Sequence, residues 1–66
     1  MIIYDVNLKE IEEGDEIQVG ENITILEKEG NTYYVKLGRK KYNIEELPTY
    51  ALSKDVIVLV DFEKVK

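Results

Sequence analysis

The sequence predicts a small all-β protein, and three observations support this fold class. Through residues 23–44 apolar and polar residues alternate, as expected of strands with one buried face. Glycine interrupts the alternation at Gly30 and again at Gly38, where tight hairpin turns would fall. Ile and Val are abundant whereas Ala51 is the only alanine, so the composition favours strands over helices.

The chain has 66 residues, and we expect one domain over residues 1–66. A domain of this size buries only about 60% of the surface that its unfolded chain exposes, so its core is thin. Cys is absent, so no disulfide can reinforce that core.

The first predicted strand covers residues 2–8, with Ile2, Tyr4, Val6 and Leu8 on one face. A short helical turn over residues 8–13 is the competing interpretation. Gly14 and Asp15 then predict a turn, after which Ile17 and Val19 continue as a second strand. Residues 20–22 would end that strand as a bulge or a tight bend.

The central hairpin has two possible registers. A three-residue loop at residues 28–30 pairs Ile25 with Tyr33 and Ile23 with Val35, which gathers the apolar residues on one face. A two-residue turn at residues 30–31 instead pairs Lys28 with Tyr33 and scatters the apolar residues over both faces. We therefore expect the first register.

The next hairpin turns at residues 38–39 and pairs Val35 with Tyr42. Both hairpins then agree on one inner face, which predicts a core of Ile23, Ile25, Tyr33, Val35, Leu37, Tyr42, Ile44 and Val58.

Beyond Ile44, residues 45–50 suit one short 3₁₀ or α turn, in which Pro48 interrupts strand pairing. Residues 56–60 are apolar on both faces, so the last strand needs a cover on its second side. Residues 2–8 are the expected cover, and a weak homodimer through residues 56–60 is the alternative.

The order of these elements resembles an SH3-like small barrel. The resemblance rests on residues 11–19, which look like the turn-then-strand entry of such barrels, on the hairpin over residues 23–37 and on the turn at residues 46–50. It implies five to six short antiparallel strands with one 3₁₀ turn near residues 45–50. Tryptophan is absent, so the proline-rich ligands of SH3 domains are not expected.

The formal net charge is −5, which disfavours binding to nucleic acid or to anionic membranes. Residues 1–10 lack the pattern of a signal peptide, and the apolar run at residues 56–60 is too short to span a bilayer. A cytoplasmic protein without membrane contact is the expectation.

Carboxylates concentrate over residues 10–29, which carry eight acidic residues and a single lysine. Their spacing matches no calcium-binding loop, so no metal is expected, and a solvated turn is the simpler interpretation. For a protein partner we nevertheless favour this region as the binding surface, through Glu12, Glu13, Asp15 and Glu16, because its charge has the sign of the whole molecule and can steer a basic partner from a distance.

A second candidate surface is the basic hairpin, defined here as Lys36, Arg39, Lys40 and Lys41, with Tyr34 facing outward beside it. Cations next to an exposed aromatic ring suit phosphate contact and base stacking. Tyr50 is a further candidate contact residue, whereas Tyr4, Tyr33 and Tyr42 are predicted to face the core.

Catalysis is not expected. The sequence has no His and no Cys, and Ser53 is the only serine, so the usual bases and nucleophiles are missing. No cofactor is expected either. The sequence thus favours a non-catalytic binding module, an accessory, regulatory or inhibitor protein that docks on a protein partner. The alternatives are nucleic-acid binding through residues 36–41, or mimicry of nucleic acid by the acidic region.

Overall fold

The computed structural model describes residues 1–65 and confirms an all-β protein. Ten short strands are present: β1 Ile2–Tyr4, β2 Glu10–Ile11, β3 Glu16–Val19, β4 Asn22–Ile25, β5 Glu27–Glu29, β6 Thr32–Leu37, β7 Lys40–Asn43, β8 Thr49–Ser53, β9 Val56–Leu59 and β10 Glu63–Lys64. A single 3₁₀ turn, Ile44–Glu46, lies between β7 and β8 in this part of the chain. The short helical element was therefore predicted correctly, but it is three residues long and Tyr50 already belongs to β8.

The strands form three sheets. Sheet 1 has the order β2-β1-β9-β8, sheet 2 the order β10-β3-β4, and sheet 3 the order β5-β6-β7. All neighbouring strands are antiparallel except β1 and β9, which are parallel, so the expectation of purely antiparallel strands is wrong at that pair. Over residues 1–65 these sheets do not join into one closed barrel.

Strand β9 lies in the interior of sheet 1. It pairs with β1 on one edge and with β8 on the other, so the predicted pairing of the N-terminal strand with residues 56–60 is confirmed. Both edges of β9 are occupied, which leaves no free edge there for a second chain.

The first strand is shorter than predicted and presents the other face. β1 ends at Tyr4, and Ile3 is the residue that is buried, whereas Ile2, Val6 and Leu8 are exposed. The predicted strand face was therefore wrong, because the partner strands β2 and β9 place Ile3 beside Ile11 and Ile57. The alternative helical turn over residues 8–13 is also wrong, since residues 10–11 form β2.

The central hairpin adopts the register that the sequence analysis rejected. Lys28 lies opposite Tyr33 and Glu29 opposite Thr32, which leaves Gly30 and Asn31 as a two-residue turn. Gly30 has a φ of 62°. A positive φ at the first central position is typical of a type II′ hairpin turn, and glycine adopts it without steric cost.

This register exchanges the inner and outer residues of the β4–β5 segment. Leu26 becomes fully buried, whereas Ile23 and Ile25 are 58% and 45% exposed. The prediction that these isoleucines belong to the core is therefore wrong. Strand β4 pairs with β3 rather than with β6, so its outer face is part of sheet 2. Ile23 is therefore not paired with Val35 as predicted.

The other predicted turns are confirmed. Val35 lies opposite Tyr42 around the turn at residues 38–39, and residues 20–21 form the tight bend between β3 and β4. Val35 and Ile44 are buried as expected, while Tyr33, Leu37 and Tyr42 pack against the core from partly buried positions. The core itself consists of Ile3, Ile11, Ile17, Leu26, Val35, Ile44, Leu59 and Phe62.

Val58 is buried but lies outside that core cluster. It is paired with Tyr4 on β1 and with Tyr50 on β8. Directly paired residues share a sheet face, so these three side chains lie on the face of sheet 1 that is turned away from the core.

One buried carboxylate connects sheet 1 with sheet 2. Asp5 is fully buried and accepts backbone hydrogen bonds from Asn7 and Lys9 at 2.8 Å each, and from Lys64 at 2.7 Å. Its two oxygens therefore hold the loop after β1 and the backbone of β10 together. An unpaired buried carboxylate would be costly, so these three donors are what permits its burial.

Candidate functional site

The four acidic candidates do not form one cluster. Glu12 and Glu13 are exposed in the turn between β2 and β3, whereas Asp15 is partly buried. The Asp15 carboxylate accepts a hydrogen bond of 2.8 Å from the backbone N–H of Glu12 and lies 3.3 Å from the Nζ of Lys64. The hydrogen bond from the Glu12 N–H is the main reason that the pKa of Asp15 is lowered; burial opposes this shift, and the Lys64 cation adds to it. The Asp15 carboxylate is thus already paired with groups of the same chain.

Glu16 lies elsewhere, on the outer face of sheet 2. It is paired with Ile25, while Gln18 is paired with Ile23 on one side and with Glu63 on the other. These five residues share one face, which we call the isoleucine face: Ile23, Ile25, Glu16, Gln18 and Glu63.

The isoleucine face combines apolar surface with fixed negative charge. Its two isoleucines are two residues apart on β4 and both project into solvent. Glu63 accepts a hydrogen bond of 3.0 Å from the side-chain amide of Asn7, which restrains its carboxylate at the border of the face. The isoleucine face therefore offers a binding partner an apolar contact area at its centre and carboxylates at its border.

Sequence reasoning missed this surface because it assigned both isoleucines to the core. One signal could have found it. Three Gly-X pairs, at residues 20–21, 30–31 and 38–39, each form a two-residue turn between strands. Assigning a two-residue turn to residues 30–31, as at the other two pairs, would have placed Leu26 inside and the isoleucines outside.

The basic hairpin is partly neutralised by nearby carboxylates. The Nζ of Lys41 lies 4.0 Å from the centre of the Tyr34 ring and 3.3 Å from a carboxylate oxygen of Glu29. The Tyr34 hydroxyl donates a hydrogen bond of 3.4 Å to Glu27. Desolvation, and after it the negative charge of Glu27, raise the pKa of Tyr34. One face of the Tyr34 ring is thus covered by the lysine.

The remaining members of the basic hairpin are exposed. Lys36 is directly opposite Lys41, Arg39 is in the turn, and the Nζ of Lys40 lies 5.4 Å from the centre of the Tyr42 ring. Tyr50 is not brought to this surface, since it lies on β8 in sheet 1 and is 49% exposed. The predicted grouping of basic residues is present in sheet 3, but Tyr50 does not belong to it.

No group of three or more acidic residues within residues 1–65 is arranged to hold a metal ion, and no pocket is present in that part of the chain. None of the helical segments described here is long and apolar enough to cross a membrane.

Comparison with known proteins gives no relative. No protein family, curated protein or solved structure matches the chain significantly, so the resemblance to SH3-like barrels has no support from these comparisons.

Proposed function

We propose that this protein is a non-catalytic binding module that docks on a protein partner through the isoleucine face. The observation that carries the proposal is the exposure of Ile23 and Ile25 side by side on one strand face. Clustered apolar side chains with a polar border are typical of protein–protein contact sites.

The apolar part of the face would supply most of the binding energy. Each square ångström of apolar surface removed from water contributes roughly 25 cal/mol. β-branched side chains on a strand lose little rotamer freedom when a partner covers them, since their χ1 is already restricted. Ile23 and Ile25 are therefore suited to contact a complementary apolar surface.

The carboxylates around the isoleucine face indicate what kind of partner surface would be complementary to it. Glu16 and Glu63 border the isoleucines, and Glu12 and Glu13 are exposed in the turn that leads into β3. The whole molecule carries a net charge of −5, which steers a basic partner toward it from a distance. We therefore propose a partner with an apolar patch bordered by Lys or Arg.

The basic hairpin supports nucleic-acid binding less well. Lys41 is already engaged by Glu29 and by the Tyr34 ring, which reduces the cation and the ring face available to phosphates and bases. The negative net charge acts against the same interaction. Nucleic-acid binding through residues 36–41 remains the alternative that the experiment must decide.

The test compares three immobilised proteins in parallel capture from native lysate: wild type, Ile23→Thr with Ile25→Thr, and Arg39→Gln with Lys40→Gln. Threonine keeps the β-branched shape on exposed strand positions, so the fold should be retained. We expect a protein that wild type and the hairpin variant retain and the isoleucine variant loses. Its purified form should then associate more slowly as salt increases.

A Glu16→Gln variant separates charge from apolar contact. It should slow association of that purified partner more than it speeds dissociation, because a peripheral charge acts mainly on encounter. Equal capture by wild type and the isoleucine variant would refute the proposal. Loss of capture only in the hairpin variant, together with salt-dependent binding of wild type to a defined DNA or RNA duplex, would establish the nucleic-acid alternative instead.

A further inference from the structure

Across the outer surface of the molecule at Ile25, the side chains change from acidic to apolar to basic. Strand β3 places Glu16 directly opposite Ile25 on one side. On the other side, the antiparallel register of β5 with β6, continued along β4, places Lys36 beside Ile25. The hydroxyl of Thr24 donates a hydrogen bond of 2.9 Å to the carbonyl of Lys36, so β6 does lie alongside β4 at this level.

These three side chains, which we call the Glu16–Ile25–Lys36 row, point to the same surface. Each of the three residues is exposed and is next in the chain to a fully buried residue. Because successive side chains on a strand point to opposite faces, all three point away from the core. Ile25 is therefore flanked by a carboxylate one strand away on one side and by a cation one strand away on the other.

Neither charge of the row has a counter-charge within residues 1–65. Glu16 forms no salt bridge there, and neither does Lys36. Lys36 is directly opposite Lys41, and like charges in that position destabilise a sheet. Lys41 is neutralised by Glu29, whereas Lys36 is not. An acidic group from outside the chain would therefore stabilise this surface at Lys36, as a basic group would at Glu16.

We propose that a second copy of this chain covers the isoleucine face, related to the first by a two-fold axis that runs along β4. This inference rests on the proposed function, because it uses the same face as the docking surface. Rotation about that axis exchanges the two sides of β4, so Glu16 of each copy meets Lys36 of the other while Ile25 meets Ile25. The partner surface proposed above, an apolar patch bordered by lysine, is thus present on this chain itself.

The order of charges in the row selects both the occupant and the axis. A two-fold axis across the strands would put Glu16 against Glu16, and like charges that face each other oppose association. The axis along β4 supplies both missing counter-charges in one operation, whereas an unrelated protein would have to carry the reverse order of charges at the same spacing. Each copy also has a net charge of −5, and this long-range repulsion makes the expected dimer weak.

The first measurement is the molar mass by sedimentation equilibrium from about 10 μM to about 1 mM, the range expected for a small interface. Wild type should shift from monomer to dimer. Ile23→Thr with Ile25→Thr should remain monomeric because the apolar contact is lost, and its melting curve should be that of a folded protein. Leu52→Thr is the matched control, since Leu52 is 51% exposed on β8 in sheet 1, and this variant should dimerise like wild type.

The second measurement tests the row by charge reversal. Glu16→Lys and Lys36→Glu should each raise the dissociation constant about tenfold or more, because two attractive contacts become repulsive. An equimolar mixture of these two variants should dimerise again, since every lysine of the row then faces a glutamate. Glu46→Lys and Lys54→Glu change the net charge by the same amounts at exposed turn residues outside the row, so each should stay within about threefold of wild type.

A monomer at every concentration would overturn the inference, as would a dimer that the isoleucine variant still forms. A mixture of the two row variants that stays monomeric would refute the axis along β4. The inference and the proposed function fail separately. A monomeric wild type that captures a different protein through the isoleucines retains the proposed function and refutes the second copy, whereas a monomeric wild type that captures no more than the isoleucine variant refutes both.

Discussion

Replacing Asp5 by asparagine should destabilise the protein far more than any change at an exposed carboxylate. Asp5 is fully buried, and one of its oxygens serves the N–H groups of Asn7 and Lys9 while the other serves Lys64. Asparagine retains the first oxygen but presents an NH₂ group to the N–H of Lys64. Two hydrogen-bond donors, the asparagine NH₂ and the Lys64 N–H, then face each other in the protein interior.

The magnitude follows from those three bonds. Losing one hydrogen bond to a charged group costs about 1.5–3 kcal/mol, and the two bonds that remain weaken because the acceptor becomes neutral. The expected total is about 3 kcal/mol. A chain of 66 residues has roughly 3–10 kcal/mol of stability in all, so the variant should be marginal. Its Tm should fall by more than about 10 °C.

Urea unfolding followed by circular dichroism measures this loss, with the exposed Asp61→Asn as the matched control. Amide exchange identifies its origin, since the Lys64 amide should lose protection more than those of Asn7 and Lys9. If Asp5→Asn lies within about 0.5 kcal/mol of Asp61→Asn, a difference typical of surface substitutions, the assignment of Asp5 as the connection between the sheets is refuted.

Three further substitutions test the fold at single residues. Leu26→Ala should cost about 2–5 kcal/mol in urea unfolding, because this side chain is fully buried; a cost below about 1 kcal/mol would contradict the register of β4 and β5. Leu8→Gly should raise the Tm, because Leu8 is exposed and has a φ of 63°, a conformation that glycine adopts at lower cost; an unchanged or lower Tm would contradict strain there. Asp15→Asn should lower stability slightly at pH 7. The N–H of Glu12 and the Lys64 cation hold the pKa of Asp15 below its ordinary 3.8, so its contribution is present above that pH and is lost as the pH falls through the folded-state pKa. Unfolding curves of the two proteins should therefore converge at acidic pH, and parallel curves would refute the assignment.

The sequence by itself determined the all-β class, the turns at residues 20–21 and 38–39 and the register of the β6–β7 hairpin. These features are local. A Gly-X pair between two alternating segments sets which residues face each other, so Val35 opposite Tyr42 follows from a few neighbouring residues. The same reasoning identified residues 56–60 as a strand that needs a cover on both sides.

The tertiary structure decided which face of each strand is buried. Ile3 rather than Ile2 is inside, because β1 is positioned by a parallel partner more than fifty residues away along the chain. Leu26 replaces Ile23 and Ile25 in the core because β4 pairs with β3 and the Gly30-Asn31 turn sets the register of β5 with β6. Counting apolar residues favours the face with two isoleucines, whereas Leu26 is the residue that the β4–β5 segment contributes to the core. The burial of Ile3 is thus a result of long-range pairing and could not be read from the sequence pattern, whereas the isoleucine face follows from the two-residue turn at residues 30–31, which the glycine pairs of the sequence do indicate.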